Sequence, residues 1–234
     1  MLNIILQIPT EQTLNVADSL KTAVAANQEL RVIDLAMKGG IVMIPIAIML
    51  GIAIFLIIER YITIKKAGKI DPYFMANIRD MVSNGNVSGA QKLCENTNTP
   101  VSKMLAKGIG RIGSNMKTIE VAIENVGKLE VYKLEKGMAF LATIAGAAPM
   151  LGFLGTVTGM IKTFHSLSSQ GDTITAGALG GGIYEAMVTT VAGLVVGIIG
   201  YLGYNLITAM IERVVYKMEA NTVEFMDILQ QPSS

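Results

Sequence analysis

Two long runs without charge meet in a hairpin late in the chain, and one carboxylate interrupts them. Met138 to Ile161 carries no charged residue, and Ile183 to Ile211 carries only Glu185. Each exceeds the roughly 20 apolar residues a helix needs to cross a bilayer core. A charged side chain at the centre of such a helix costs roughly 2.5–3.5 kcal/mol by insertion scales, so it faces protein or water and marks function by default. The bland alternative is a glutamate near the helix end that simply reaches the interface.

A third run, Gly39 to Ile58, holds twenty uncharged residues between Lys38 and Glu59-Arg60. Pro45 within it is expected to kink the helix mildly, which membrane helices tolerate. With 51% hydrophobic and 16% charged residues gathered into such runs, the chain falls outside the soluble globular class. The expected fold is an all-α integral membrane protein with three transmembrane helices that extend well into the cytoplasm. Its parts are 1–38, an amphipathic N-terminal segment; 39–58, the first span; 59–137, a cytoplasmic helical domain; 138–164, the second span; 165–172, a short loop; 173–211, the third span; and 212–234, a cytoplasmic helix and tail. The opening MLNIILQIP reads as a short anchor rather than a signal peptide.

Basic residues set the orientation. Thirteen lysines and arginines lie between Arg60 and Lys136, crowding both membrane-proximal ends, whereas residues 165–182 contain none. The positive-inside rule puts that domain and the C-terminal tail in the cytoplasm and the N-terminus outside.

Several function classes lose their footing. A net charge of +1 leaves no basic face for nucleic acid. One cysteine, Cys94, and one histidine, His165, cannot build a usual zinc site or a disulfide framework. GIGRIG at Gly108–Gly113 matches a dinucleotide fingerprint only formally, since no strand precedes it, and it reads as a helix break. No nucleophile–base pair suggests an enzyme, and no cofactor is implied.

Within the large polar region, Asp71-Pro72 reads as a helix start. Asn84-Gly85-Asn86 reads as a turn and Asn96–Pro100 as a break. From a cap at Ser114, a single helix is expected to run past Gly137 to Phe164, on the order of 75 Å. Glu212–Leu229 should continue the third span with Val215, Met218, Val223 and Met226 on its apolar side.

If the third span starts near Thr173 with Asp172 as its cap, Glu185 lies roughly 18 Å along the axis, level with Gly152 to Thr156. Glycines 180–182 could instead end a loop and leave Glu185 shallow; the deep placement is the favoured expectation. On a 100° wheel Thr189 lies about 40° from Glu185 and Thr190 about 140°, with Gly193 and Gly197 between them. On the second span Gly152, Gly155 and Gly159 form a small-residue stripe beside Thr156, suited to close helix approach. The alternative for the threonines is that they bond only to their own backbones.

The motif APMLGFLGTVTGM (148–160) followed by GGGIYEAMVTTVAGLVVGIIGYLGYN (180–205) resembles the ExbB/TolQ/MotA family of proton-channel motor subunits, nearest to ExbB. By that resemblance Glu185 matches the intramembrane glutamate, Thr156 the second-span threonine and Thr190 the third-span threonine, leaving Thr189 as a rival. Phe153 and Gly182 depart from the leucine and proline usual there. The resemblance implies a homo-oligomer, a pentamer around a central pore that holds an ExbD- or TolR-like partner with its own acid. It also implies a TonB- or TolA-like energy transducer, the bacterial inner membrane with a periplasmic N-terminus, and no metal or cofactor. The expected function is a subunit that couples proton motive force to TonB-dependent transport across the outer membrane. The alternatives are a TolQ-like envelope motor, a gliding-type stator, a small secondary transporter or a passive scaffold.

Overall fold

The computed structural model describes residues 39–170 and 176–230, with the side chains of 170 and 176–179 left aside. The expectations for residues 1–38, for Asp172 as a cap and for a helix start at Thr173 lie outside the described residues. The described residues form seven helices: α1 Met43–Ala67, α2 Phe74–Ser83, α3 Val87–Thr97, α4 Pro100–Ile109, α5 Met116–Glu135, α6 Met138–Gln170 and α7 Ala176–Gln230. Three stretches are long and apolar enough to cross a membrane: α1, the apolar part of α6 and the first half of α7.

These three pack along their length. α6 and α7 form an antiparallel pair, and α1 lies against both, running parallel to α7. Its start meets Glu185 and its middle meets Gly203 through Ile57. Ile46, Ala53, Leu141, Ile144, Ala148 and Val196 make a small core between them. The outer faces, including Ile48, Phe55, Phe153, Leu154, Val191 and Ile198, remain exposed. In water such a belt would drive aggregation; in a bilayer it meets acyl chains at no such cost.

Pro45 corrects the first expectation. It is the third residue of α1, inside the first turn, where its missing N–H has no intrahelical partner to lose. Nothing there calls for a kink, and α1 itself begins only at Met43, after Gly39 and Gly40.

The second correction concerns the long helix expected from Ser114 to Phe164. The cap is Asn115, whose side chain accepts from the Lys117 N–H at 3.0 Å. The helix then stops at Glu135. Lys136 turns extended and Gly137 takes φ 83°, a conformation that L side chains avoid. The Gly137 carbonyl accepts from Leu141 N–H as α6 begins. Buried Arg60 from α1 donates to the Lys133 carbonyl at 3.1 Å, so a guanidinium caps the last turn of α5 beside the break.

Below the spans, α2–α5 wrap the lower half of α7. Their core is built from bulky residues, among them Ile78, Val101, Leu105, Ile123 and Phe225. The break at Asn98-Thr99 is followed by a capping box: Thr99 Oγ1 accepts from Ser102 N–H, and Ser102 Oγ accepts from Thr99 N–H. Asp71 does not cap α2. It accepts from Tyr73 N–H in a turn just ahead of a helix that begins at Phe74. Of the apolar side expected for the C-terminal helix, Met218 is buried and Val215 and Met226 pack against the core, but Val223 is 62% exposed; Val214, Phe225 and Ile228 complete the buried face.

Candidate functional site

The seam between α6 and α7 is made of backbone meeting backbone. A Cβ added at Gly152 would stand 2.9 Å from the Thr189 carbonyl oxygen, and one at Gly193 would stand 2.5 Å from the Ala148 carbonyl oxygen. Gly155 abuts Thr189, Gly159 abuts Ala186, Gly182 abuts Thr163, and Gly197 abuts Pro149. The small-residue stripes recognised in the sequence therefore face each other within one chain. In lipid, where burial against a neighbour gains nothing hydrophobic, such close approach supplies the van der Waals contact that holds the helices together.

This seam fixes the register, and with it the depth of Glu185. Paired positions step in opposite directions: Gly200 with Ala145, Gly193 with Gly152, Ala186 with Gly159, Gly182 with Thr163. Glu185 thus falls level with residue 160, about one helical turn nearer the loop than Thr156. The expectation that Glu185 and Thr156 share a level is corrected. The cause is that α6 stays helical to Gln170, through the polar stretch HSLSSQ. That moves the turn of the hairpin several residues later than a helix end at Phe164 would. On the first span the Glu185 carboxylate stands beside Gly40, ahead of α1, where the uncharged run 39–58 begins. Level with residue 160 and beside Gly40, Glu185 lies at the loop-side end of the charge-free runs of all three helices. The alternative in which Gly180–Gly182 end a loop does not hold, since these glycines lie within α7.

At that boundary Glu185 is not alone. Lys162 of α6 donates to Glu185 Oε1 at 3.4 Å, with side chains 64% and 31% exposed respectively. Sequence reading passed over Lys162. The signal was present: Lys162 ends the apolar run of α6 as Glu185 opens that of α7, two opposite charges at matching ends of a hairpin.

One turn deeper the two polar threonines meet. Thr156 Oγ1 and Thr190 Oγ1 are hydrogen-bonded across the seam. Both hydroxyls also reach the Gly152 carbonyl, Thr190 at 3.1 Å and Thr156 at 3.3 Å. Each hydroxyl has one proton, so one donates to the other and the second donates to the carbonyl. The two orders interconvert by rotating both O–H bonds, a property that suits a proton relay. Thr156 also lies 3.5 Å from the carbonyl of Ala186, next in chain to Glu185.

Thr189 has a different setting. It is 1% exposed, its hydroxyl donates to the Ala186 carbonyl at 2.8 Å, and its side chain fills the gap opposite Gly155. Backbone bonding, the ordinary fate of a membrane threonine, holds for Thr189. Of the doublet, Thr190 is the residue that pairs with Thr156. The ion pair and the hydroxyl pair lie on different sides of α7, since Glu185 turns toward the start of α1 and Thr190 lies about 140° around the wheel. Among the described residues no cluster of side chains is arranged to hold a metal ion.

The glycine seam, the boundary acid and the paired threonines all lie inside a stretch shared with known proteins. A family model described as the MotA/TolQ/ExbB proton channel family matches residues 96–220. A putative biopolymer transport protein ExbB homolog from Methanothermobacter thermautotrophicus is 31% identical over 191 residues, covering 80% of this chain and 67% of its own. A putative ExbB-like protein from Synechocystis is 30% identical over 179 residues, covering 76% of this chain and 85% of its own. The Tol-Pal system protein TolQ of Pseudomonas aeruginosa is 32% identical over 102 residues, 44% of each chain. With more than half its length matched, including every residue of the seam just described, the chain belongs to the MotA/TolQ/ExbB proton channel family.

Proposed function

We propose that this protein is an ExbB-type motor subunit of the bacterial inner membrane, and that Glu185 accepts and releases the protons it uses. The observation that carries the reading is the placement of the acid. Glu185 is the one carboxylate of the third span, it sits at the loop-side end of the charge-free runs beside Lys162, and one turn deeper, on another side of α7, Thr156 and Thr190 form an exchangeable hydroxyl pair. The N-terminus and the 165–172 loop face the periplasm, while α2–α5 and the end of α7 face the cytoplasm, in keeping with the basic residues of 60–136. A proton arriving from the periplasmic side meets Glu185 first.

The working form is a homo-oligomer, a pentamer whose pore holds a single-span ExbD- or TolR-like partner with an acid of its own. Proton passage between the two acids moves the helices, and a TonB- or TolA-like transducer carries the motion to the outer membrane. About 2.3 kcal/mol is available per charge for each 100 mV, enough for such rearrangement. The TolQ relative matches as closely in identity as the ExbB-like ones, which favours envelope maintenance as the second reading. Glu185→Gln and Glu185→Ala are expected to abolish energised uptake while the oligomer still assembles; full uptake in either variant overturns the reading.

A further inference from the structure

The family assignment and the relay leave Lys162 without a role, although it is the cation that contacts the proposed proton acceptor. We propose that Lys162 is a specificity-determining residue: its ammonium takes the place beside Glu185 that a sodium ion would otherwise occupy, and so reserves the site for protons. This rests on the reading of Glu185 as the proton acceptor.

The geometry is as follows. Lys162 Nζ lies 3.4 Å from Glu185 Oε1, and the same oxygen abuts the Gly40 backbone, where no side chain stands. Among the groups around Glu185, α6 brings Lys162, α1 brings the Gly39–Gly40 backbone, and α7 brings Tyr184, one residue earlier in the chain. Lys38, just ahead, lies outside the described residues. An ionised Glu185 therefore has a tethered counter-charge. A hard cation needs several oxygen donors and a net negative site to repay its lost water. A carboxylate already neutralised by an ammonium offers neither. A proton, by contrast, binds the carboxylate oxygen covalently and releases the lysine. The lysine's four-carbon stem lets its charged end swing to loop-side water, in line with its 64% exposure. Protonation and ion pairing thus exclude each other, while sodium is excluded by both states.

The test uses the full chain, purified as its oligomer in lipid nanodiscs, and a hydrophobic carbodiimide that modifies only the protonated acid. In the native protein the rate of Glu185 modification at neutral pH should be the same in sodium and in N-methylglucamine salts. In Lys162→Gln, sodium at about 100 mM should slow modification about threefold, the protection expected of a site with a Kd of about 50 mM. Lys162→Arg, which keeps the charge, should behave as the native protein. Equal sodium responses in the native protein and Lys162→Gln, whether both slowed or both unaffected, overturn the proposal. If Lys162→Gln loses its oligomer, Lys162→Met serves for the same comparison. Modification reads the acid itself and not transport, so a Glu185→Gln variant with intact uptake would defeat the functional reading without touching this result.

Discussion

The upper and lower halves of α7 are one unbroken helix held by two different kinds of packing. From Gly182 to Gly200 its inward face is glycine, alanine and two threonines, pressed close against α6. From Ile207 to Ile228 the inward face is Ile207, Ile211, Val214, Met218, Phe225 and Ile228, sunk among the side chains of α2–α5. The upper half lies among apolar surroundings, where bulk gains nothing and closeness does. The lower half lies in water, where each buried side chain removes apolar area from solvent. A helix of 55 residues that is anchored in both ways can carry a displacement at Glu185 into the lower bundle.

That contrast is open to attack from each side. The largest effect is expected in the lower half. Phe225 is fully buried, and Phe225→Ala should cost about 3–5 kcal/mol, read as loss of protease resistance in α2–α5 while α6 and α7 stay paired. Next comes the seam: Gly152→Leu should cost about 1–3 kcal/mol or separate the hairpin outright. A disulfide between cysteines placed at Ala145 and Gly200 would report this, forming in the native background and failing in the variant, with the lower bundle intact.

Third is pH. Burial pushes the Cys94 thiol up to about 12 from its usual value near 9. The folded state then holds a proton that the unfolded chain gives up, so the contribution is fully present below about pH 9. It is lost at about 1.4 kcal/mol per pH unit as pH rises toward 12. Denaturation midpoints of the lower bundle should fall over that window, and Cys94→Ala should flatten the fall. The smallest effect belongs to the hydroxyl pair. Thr190→Ala should cost only about 0.6 kcal/mol of stability, as interhelical bonds in membranes do. Its thermal midpoint should hardly move, whereas its proton flux should drop well below that of the native protein.

The same two regions differ in how openly the sequence displays them. The spans and the glycine stripes follow from runs and spacing, because in lipid composition and periodicity carry most of the information; Thr156 and Thr190 are marked only by the family resemblance, and the helical wheel leaves Thr189 as a rival. The break at Asn98-Thr99 was legible from Pro100. The break at Gly137 was not, since one glycine between two helical patterns is usually absorbed; here Arg60 caps α5 and completes the stop. Hairpin register was misjudged for a related reason. Polar residues such as His165 and Ser168 looked like loop, yet α6 continues through them and shifts Glu185 toward the boundary. Arg60 and Glu130 escaped notice because a charged residue shows its burial only when its partners are known. Glu130 is 6% exposed and is held by Lys103 at 3.3 Å and Lys133 at 2.5 Å.

The role of Glu185 is tested most directly by proton flux in liposomes that hold the oligomer with its single-span partner under an imposed pH gradient. The native assembly should dissipate the gradient, and the Glu185→Gln assembly, reconstituted at equal protein, should leave it at the rate of empty liposomes. Equal dissipation by both would contradict the account, because a neutral amide cannot take up and release the proton.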